Sequence, residues 1–242
     1  MMPQRIAILM PSFDEPRLRA TLDELARAAE AFASLRVFLV DDGAPAPVDV
    51  AALPGPSERF SVRLARHVIN LGQGAALETA RCLALQDAPF DAYVTMDADG
   101  QHSVADLAPL VFAITSGADV ALGDRFAGGS RIPRVRAAVL YAARLFESLL
   151  VGRPLGDAHN GLRAFSHRAI ASLKIRQARM AHATEIVLAV CRSGHRVVEV
   201  PVTVHYTPES RRRGQSSLGA LAIVADLLRR YLFGAGPAST TR

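Results

Sequence analysis

Two carboxylates, Asp97 and Asp99, stand one residue apart in "VTMDADGQH", residues 94 to 102, where an apolar run gives way to a glycine. Residues i and i+2 of an extended strand point to the same side, so at a strand's end both side chains can address one object. Two bare carboxylates at close range repel each other unless a cation lies beside them. Hard oxygen donors favour Mg2+ or Mn2+, ions that usually share their shell with substrate phosphates and water. The pattern therefore points to a metal–diphosphate group, with Gln101 two residues further on as a source of an amide oxygen. A D-x-D triplet alone arises by chance on the order of once in a chain of this composition. His102 reads as an exposed loop histidine rather than a further ligand.

The residues around this pair must position it. Short apolar runs at 5–10, 35–40, 62–68, 92–96 and 118–123 read as strands, and helical patterns cover 16–33, 74–88 and 104–116. Strand–helix alternation of this kind predicts an α/β fold with a mostly parallel sheet flanked by helices. Such sheets bind ligands at the carboxyl ends of their strands. After the first strand come Asp14 and Glu15, and after the second come Asp41, Asp42 and Gly43. "NLGQGAA" follows the third, "DADGQH" the fourth and "GDRF" the fifth. Acidic and glycine-rich loops thus gather on one edge. By itself Asp42 fits a turn cap as well as a ligand. The loop holding Gly72 and Gly74 fits either turn chemistry or a helix N-terminus aimed at a phosphate.

Residues 43–60, rich in Pro and Ala, read as an irregular surface connection. Beyond residue 124 come an arginine-rich loop, a helix near 136–150, a strand at 161–165, a helix near 181–193 and a strand at 196–206. A polar loop, 207–217, then leads to an amphipathic helix at 218–232. One domain is expected over residues 1–233, with 234–242 as a disordered tail.

Composition narrows the function. Half of the 242 residues are apolar, enough to bury a core without disulfides. Cys82 and Cys191 lack the spacing of a zinc site or redox pair and are expected as reduced core thiols, which fits a cytoplasmic protein. The run "IAILM", ended by Pro11, is too short for a signal peptide. No stretch reaches the roughly 18 to 20 apolar residues of a spanning helix. The formal charge of +5 comes with arginine clusters at 125–136, 211–213 and 229–230, patches suited to phosphate or anionic lipid. Nucleic acid is not expected, since aromatics are few, Trp is absent and no recognition module is apparent.

The blocks "PSFDE", "VDDG", "NLGQGAALETA", "MDADGQH", "GDRF", "GDAHNGLRAFSHRAI", "EVPVTVHY" and "SRRRGQS" resemble glycosyltransferase family 2. Within it they are similar to the branch of dolichol-phosphate mannose synthase and bacterial polyprenyl-phosphate sugar transferases. The blocks run in family order over nearly the whole chain. The resemblance implies a GT-A fold, a nucleotide-diphosphate sugar donor, a divalent Mg2+ or Mn2+ ion and inversion at the sugar carbon. It implies that Pro11, Asp14 and Glu15 line the nucleotide pocket, that Asp42 meets the base and that Gln73 lies near the donor phosphates. Asp97 would lie on the ribose or phosphate side of the metal site, and Asp99 with Gln101 would hold the ion. Asp157 matches the aspartate taken as catalytic base. Arg125 and Arg131 stand where the family binds the acceptor phosphate. Arg213 falls in the segment that closes over the diphosphate.

Three positions depart from the commoner pattern: Ala44 for Ser or Thr, Gln73 for Lys and Asp124 for Ser. The processive motif Q-x-x-R-W is absent, against polymer synthesis. The acidic, glycine-poor "PSFDEP" also argues against a sugar-nucleotide pyrophosphorylase. The expected acceptor is a polyprenyl phosphate at the cytoplasmic membrane face, with peripheral membrane contact. The alternatives are a soluble or cell-envelope hydroxyl acceptor, or a non-catalytic nucleotide-sugar-binding protein.

Overall fold

A computed structural model describes residues 4–87, 89–130, 132, 134–157 and 160–206. The expectations placed on Arg131, Arg213, the loop 207–217, the helix 218–232 and the tail 234–242 lie outside these residues. The described chain builds one seven-stranded sheet in the order β3-β2-β1-β4-β6-β5-β7. Its strands are β1 (Arg5–Ser12), β2 (Ser34–Asp41), β3 (Phe60–Arg66), β4 (Ala92–Thr95), β5 (Val120–Asp124), β6 (Arg163–Phe165) and β7 (Val197–Pro201). Every pairing is parallel except those of the three-residue β6, which runs antiparallel to β4 and β5.

The central strands are apolar almost without interruption because both faces are covered. Along β1, Ile6, Ile8 and Met10 enter one core layer with Leu22 and Leu25 of α1 (Leu18–Ala28) and Leu110 of α3 (Leu107–Thr115). The intervening Ala7 and Leu9 enter the other layer, with Phe38, with Leu77 of α2 (Gln73–Leu85), with Ile170 of α5 (His167–Ser172) and with Ile186 of α6 (His182–Arg192). The alternation is the two-residue period of a strand. Among the described helices, α4 (Arg134–Val151) included, none is long and apolar enough to cross a membrane.

Local departures from the sequence reading have physical reasons. The helix expected over 16–33 ends at Ala28 and tightens into a single 3-10 turn, Ala29–Ala31, before Phe32 turns extended. The last strand stops at Pro201. Beyond it Thr203 N donates to Asp106 Oδ2 (2.6 Å) and Val204 N to Ser130 Oγ (2.9 Å), while His205 N donates to the Gln101 carbonyl (2.7 Å), so the ladder gives way to side-chain acceptors and an isolated bridge between His102 and Val204. Helix α5 was not anticipated. It is six residues long, too short for periodicity to show, though Ser166 caps it by accepting from Ala169 N at 3.2 Å. The cysteine expectation is corrected too, because Cys82 lies on the exposed side of α2 and Cys191 is only half-buried.

Candidate active site

The carboxyl ends of β1, β2 and β4 open onto a cavity of about 550 Å3. Of the residues expected to bind donor or metal, Pro11, Glu15, Asp42, Gln73, Asp97, Asp99 and Gln101 line it, and so does Arg125. Asp14 does not. It lines a neighbouring groove with Arg19 and Asp49, and its backbone is left-handed at φ 47°.

Asp97 and Asp99 are carried out of the sheet by β4, and several contacts fix the turn that holds them. Thr21 of α1 donates its hydroxyl to the Ala98 carbonyl at 3.0 Å, between the two carboxylates. Thr95 donates to the Gly161 carbonyl at 2.7 Å. Gly161 is required at that close approach, since a Cβ there would sit 2.5 Å from Asp97 Oδ2. Asp97 Oδ1 accepts from the Gln73 amide at 2.8 Å, and Oδ2 lies 3.2 Å from His102 Nε2. Gln101 donates to Asp99 from both its backbone N (3.0 Å) and its side-chain amide.

The two carboxylates sit in different fields. Burial works against ionisation of Asp97, but the His102 hydrogen bond and the nearby His102, His182 and Arg163 hold its pKa below the usual carboxylate range. Asp99 is pushed up, first by burial and then by the charge of Asp97. A divalent cation fits here: the donors are oxygens, and a positive charge relieves the repulsion that raises Asp99. Among the described residues no three His, Cys, Asp or Glu side chains converge on one point. Mg2+ and Mn2+ usually share their shell with phosphate and water, which suits an ion held by as few as two carboxylates.

The second wall is Asp42, which is 2% exposed. Its Oδ1 lies 2.7 Å from His67 Nδ1 and accepts from Leu71 N at 3.0 Å, and its Oδ2 accepts from Gly72 N at 2.7 Å. The carboxylate thus latches the loop between β3 and α2 against the end of β2. That loop does not present a free helix N-terminus. Gly74 N and Ala75 N donate to the Ala178 carbonyl at 2.7 and 3.2 Å, so the first turn of α2 is capped by protein. Gly72, at φ 106°, and Gly74 admit this approach because a side chain at either would overlap the 177–178 backbone. Of the two readings of this loop, turn and packing chemistry is the one observed.

Across the cavity Arg125 is buried and bound to Asp157, whose Oδ2 accepts from Arg125 N at 3.1 Å and from Nε at 2.5 Å. Asn160 Nδ2 reaches the same oxygen at 3.4 Å, and Asp157 Oδ1 is buried with no hydrogen-bond partner among the described residues. Arg125 Nη1 donates to the Tyr206 hydroxyl at 3.3 Å. Behind the pair lies Arg163, 2% exposed, with Nη2 making no hydrogen bond among the described residues. Burial lowers its pKa against the attraction of Glu147, Asp97 and Asp157.

Sequence reasoning missed three of these groups. His102 is 5% exposed and not a loop-surface histidine; its backbone bridges to Val204, which packs it inward. Its place five residues after Asp97 was visible, but the bridge from residue 204 was not. Arg163 had a signal, a charge inside the apolar run "GLRAF". His67 had none, because its partners Asp42 and Thr79 are 25 and 12 residues away.

Residues 7–173, more than half of the chain, match the model of the family described as Glycosyl transferase family 2. The chain is 26% identical to polyprenol monophosphomannose synthase of Mycolicibacterium smegmatis, over 83% of this chain and 77% of that one. It is 28% identical to undecaprenyl-phosphate mannosyltransferase of Micrococcus luteus, over 82% of this chain and 83% of the other. An uncharacterized protein of Methanocaldococcus jannaschii is 26% identical over 94% of this chain and 93% of its own length. Among solved structures, glucosyl-3-phosphoglycerate synthase of Mycobacterium tuberculosis, in complex with Mn2+, uridine diphosphate and phosphoglyceric acid, superposes with a TM-score of 0.65. Its 16% identity, over 98% of this chain and 80% of that one, speaks for the fold. That fold is the GT-A architecture expected from the sequence blocks. With residues of several described blocks set around one cavity, and the family model spanning β1 through α5, the chain belongs to glycosyl transferase family 2, a family of sugar-transferring enzymes.

Proposed function

We propose that the protein transfers a sugar, with inversion, from a nucleotide-diphosphate sugar to a polyprenyl phosphate at a membrane surface. The observation that carries the donor side is the pair Asp97 and Asp99 on one cavity with Asp42, a carboxylate pair fit for a divalent ion beside a nucleotide-sized space. In this reading Mg2+ or Mn2+, when bound, supplies charge neutralisation for the leaving nucleoside diphosphate. Asp99 holds that ion, with Gln101 steadying the carboxylate. Asp97 stays ionised beside it under the influence of His102. Pro11, Glu15 and Asp42 bound the nucleotide side, and Gln73 fixes Asp97.

The acceptor side rests on the Arg125–Asp157 pair. A hydroxyl acceptor needs a base, and Asp157, tied to Arg125 through Oδ2, would have to serve through Oδ1. A phosphate acceptor needs none, being largely anionic at neutral pH with a second pKa of about 6. Asp157 then orients Arg125, and the donors of Arg125 not engaged by Asp157 or Tyr206 meet the phosphate oxygens. The names of two relatives, a polyprenol monophosphomannose synthase and an undecaprenyl-phosphate mannosyltransferase, support the same acceptor class.

The experiment is radiolabelled sugar transfer from UDP- and GDP-sugars with Mn2+, to undecaprenyl phosphate in vesicles and, in parallel, to phosphoglyceric acid and a soluble hydroxyl acceptor. Transfer to the lipid phosphate is the expected result. Efficient transfer to a soluble acceptor alone would overturn the lipid assignment and leave an inverting glycosyltransferase of another acceptor class.

A further inference from the structure

The donor wall contains a relay that the transfer reaction does not itself require. His67 lies just past the end of β3 with 12% of its side chain exposed. Its Nδ1 is 2.7 Å from Asp42 Oδ1 and its Nε2 is 2.9 Å from the Thr79 hydroxyl of α2. Its backbone N donates to the Asp41 carbonyl at 2.8 Å. An ionised carboxylate only accepts, so Nδ1 carries the proton toward Asp42, and in the neutral ring the Thr79 hydroxyl donates to Nε2. The ring is thereby held from both sides, between β2 and α2.

A carboxylate offers about four acceptor positions. His67 Nδ1, Leu71 N and Gly72 N occupy three on Asp42. We infer that His67, held by Thr79, is a positioning residue that fixes the Asp42 carboxylate so that one acceptor position faces the cavity for an N–H of the donor's nucleobase. The inference rests on the donor reading above. It makes base recognition depend on a histidine that is not itself one of the residues lining the cavity. The diphosphate end, at Asp97 and Asp99, does not depend on it. Thr79 belongs to the helix whose first residue, Gln73, holds Asp97, so a purely structural role for His67 would disturb both ends together.

Calorimetric titration of the full chain with Mn2+ separates the two. The probes are UDP and GDP, which carry a base, and inorganic pyrophosphate, which does not. In His67→Phe, affinity for whichever nucleoside diphosphate binds the parent falls about tenfold, while pyrophosphate affinity changes by less than about twofold. His67→Asn, whose amide nitrogen takes the place of Nδ1, recovers most of the loss, and Thr79→Val loses in the same direction by less. Should His67→Phe fail to fold, His67→Asn and Thr79→Val read the same contrast. Equal losses for nucleoside diphosphate and pyrophosphate, or no loss for either, would overturn the inference while leaving the donor reading standing. A parent protein that binds pyrophosphate but neither nucleoside diphosphate would overturn both.

Discussion

At the residue scale, the site is a set of buried charges whose value depends on their partners. Arg125 and Asp157 are each 5% exposed, and removing one partner of such a pair leaves the other uncompensated. Arg125→Ala is expected to destabilise the fold by about 3 to 5 kcal/mol. The double variant Arg125→Ala with Asp157→Asn should be less destabilised than the single one, as urea titrations of both would show. Equal or additive losses would mean that the ion pair contributes little. Glu147, 1% exposed on α4, supplies a pH test. Burial pushes its carboxyl up from 4.5 to about 7, against the hydrogen bond from Thr184 and the attraction of Arg163. A carboxyl raised on folding binds more protons folded than unfolded between those values. The stability it contributes is full below the unfolded value and is lost as pH rises through about 7. Glu147→Gln should therefore gain on the order of 3 kcal/mol relative to the parent between about pH 4 and about pH 8. A difference that does not change with pH would contradict the shift. The residues that line the cavity were mostly legible in the sequence, because acidic side chains directly after apolar runs are local signals. Arg163, His67 and His102 were not assigned because their roles are set by partners far along the chain.

At the element scale, the decisive feature is the packing of α2 against the 176–181 segment. Gly74 of α2 lies so close to this segment that a side chain there would overlap the Gln177 carbonyl oxygen. Ala178 caps the same helix through its carbonyl. Gly74→Ala, which elsewhere in a helix would be neutral or stabilising, is expected to cost at least about 2 kcal/mol and to weaken Mn2+ binding through Gln73 and Asp97. Denaturant unfolding and a Mn2+ titration would check the two effects together. Unchanged stability would show that the segment yields easily. The elements themselves were read from sequence to within a few residues where periodicity was long, as in β1, β2, α2 and α6. The antiparallel sense of β6 and the split of 196–206 were not readable. Both depend on which distant groups take up the backbone donors, as Asp106 and Ser130 do beyond Pro201.

At the scale of the whole molecule, a mostly parallel sheet brings the carboxylates of the β1, β2 and β4 loops and the Arg125–Asp157 pair to a single edge, the donor and acceptor sides of the proposed reaction. The antiparallel β6 serves that division. It sits between β4 and β5, where Gly161 just before it lies against Asp97 and the charge of Arg163 helps hold Asp97 ionised. The central claim is that the carboxylate pair holds a divalent ion against a nucleoside diphosphate. The most direct measurement is Mn2+-dependent release of nucleoside diphosphate from UDP- and GDP-sugars by the parent and by Asp99→Asn, with circular dichroism of both. Parent activity is expected to require Mn2+ or Mg2+ and to be abolished by chelation. Folded Asp99→Asn is expected to lose at least about a hundredfold, since a metal ligand's share of leaving-group stabilisation is several kcal/mol. Near-normal release by folded Asp99→Asn, or full parent activity in chelator, would contradict the claim.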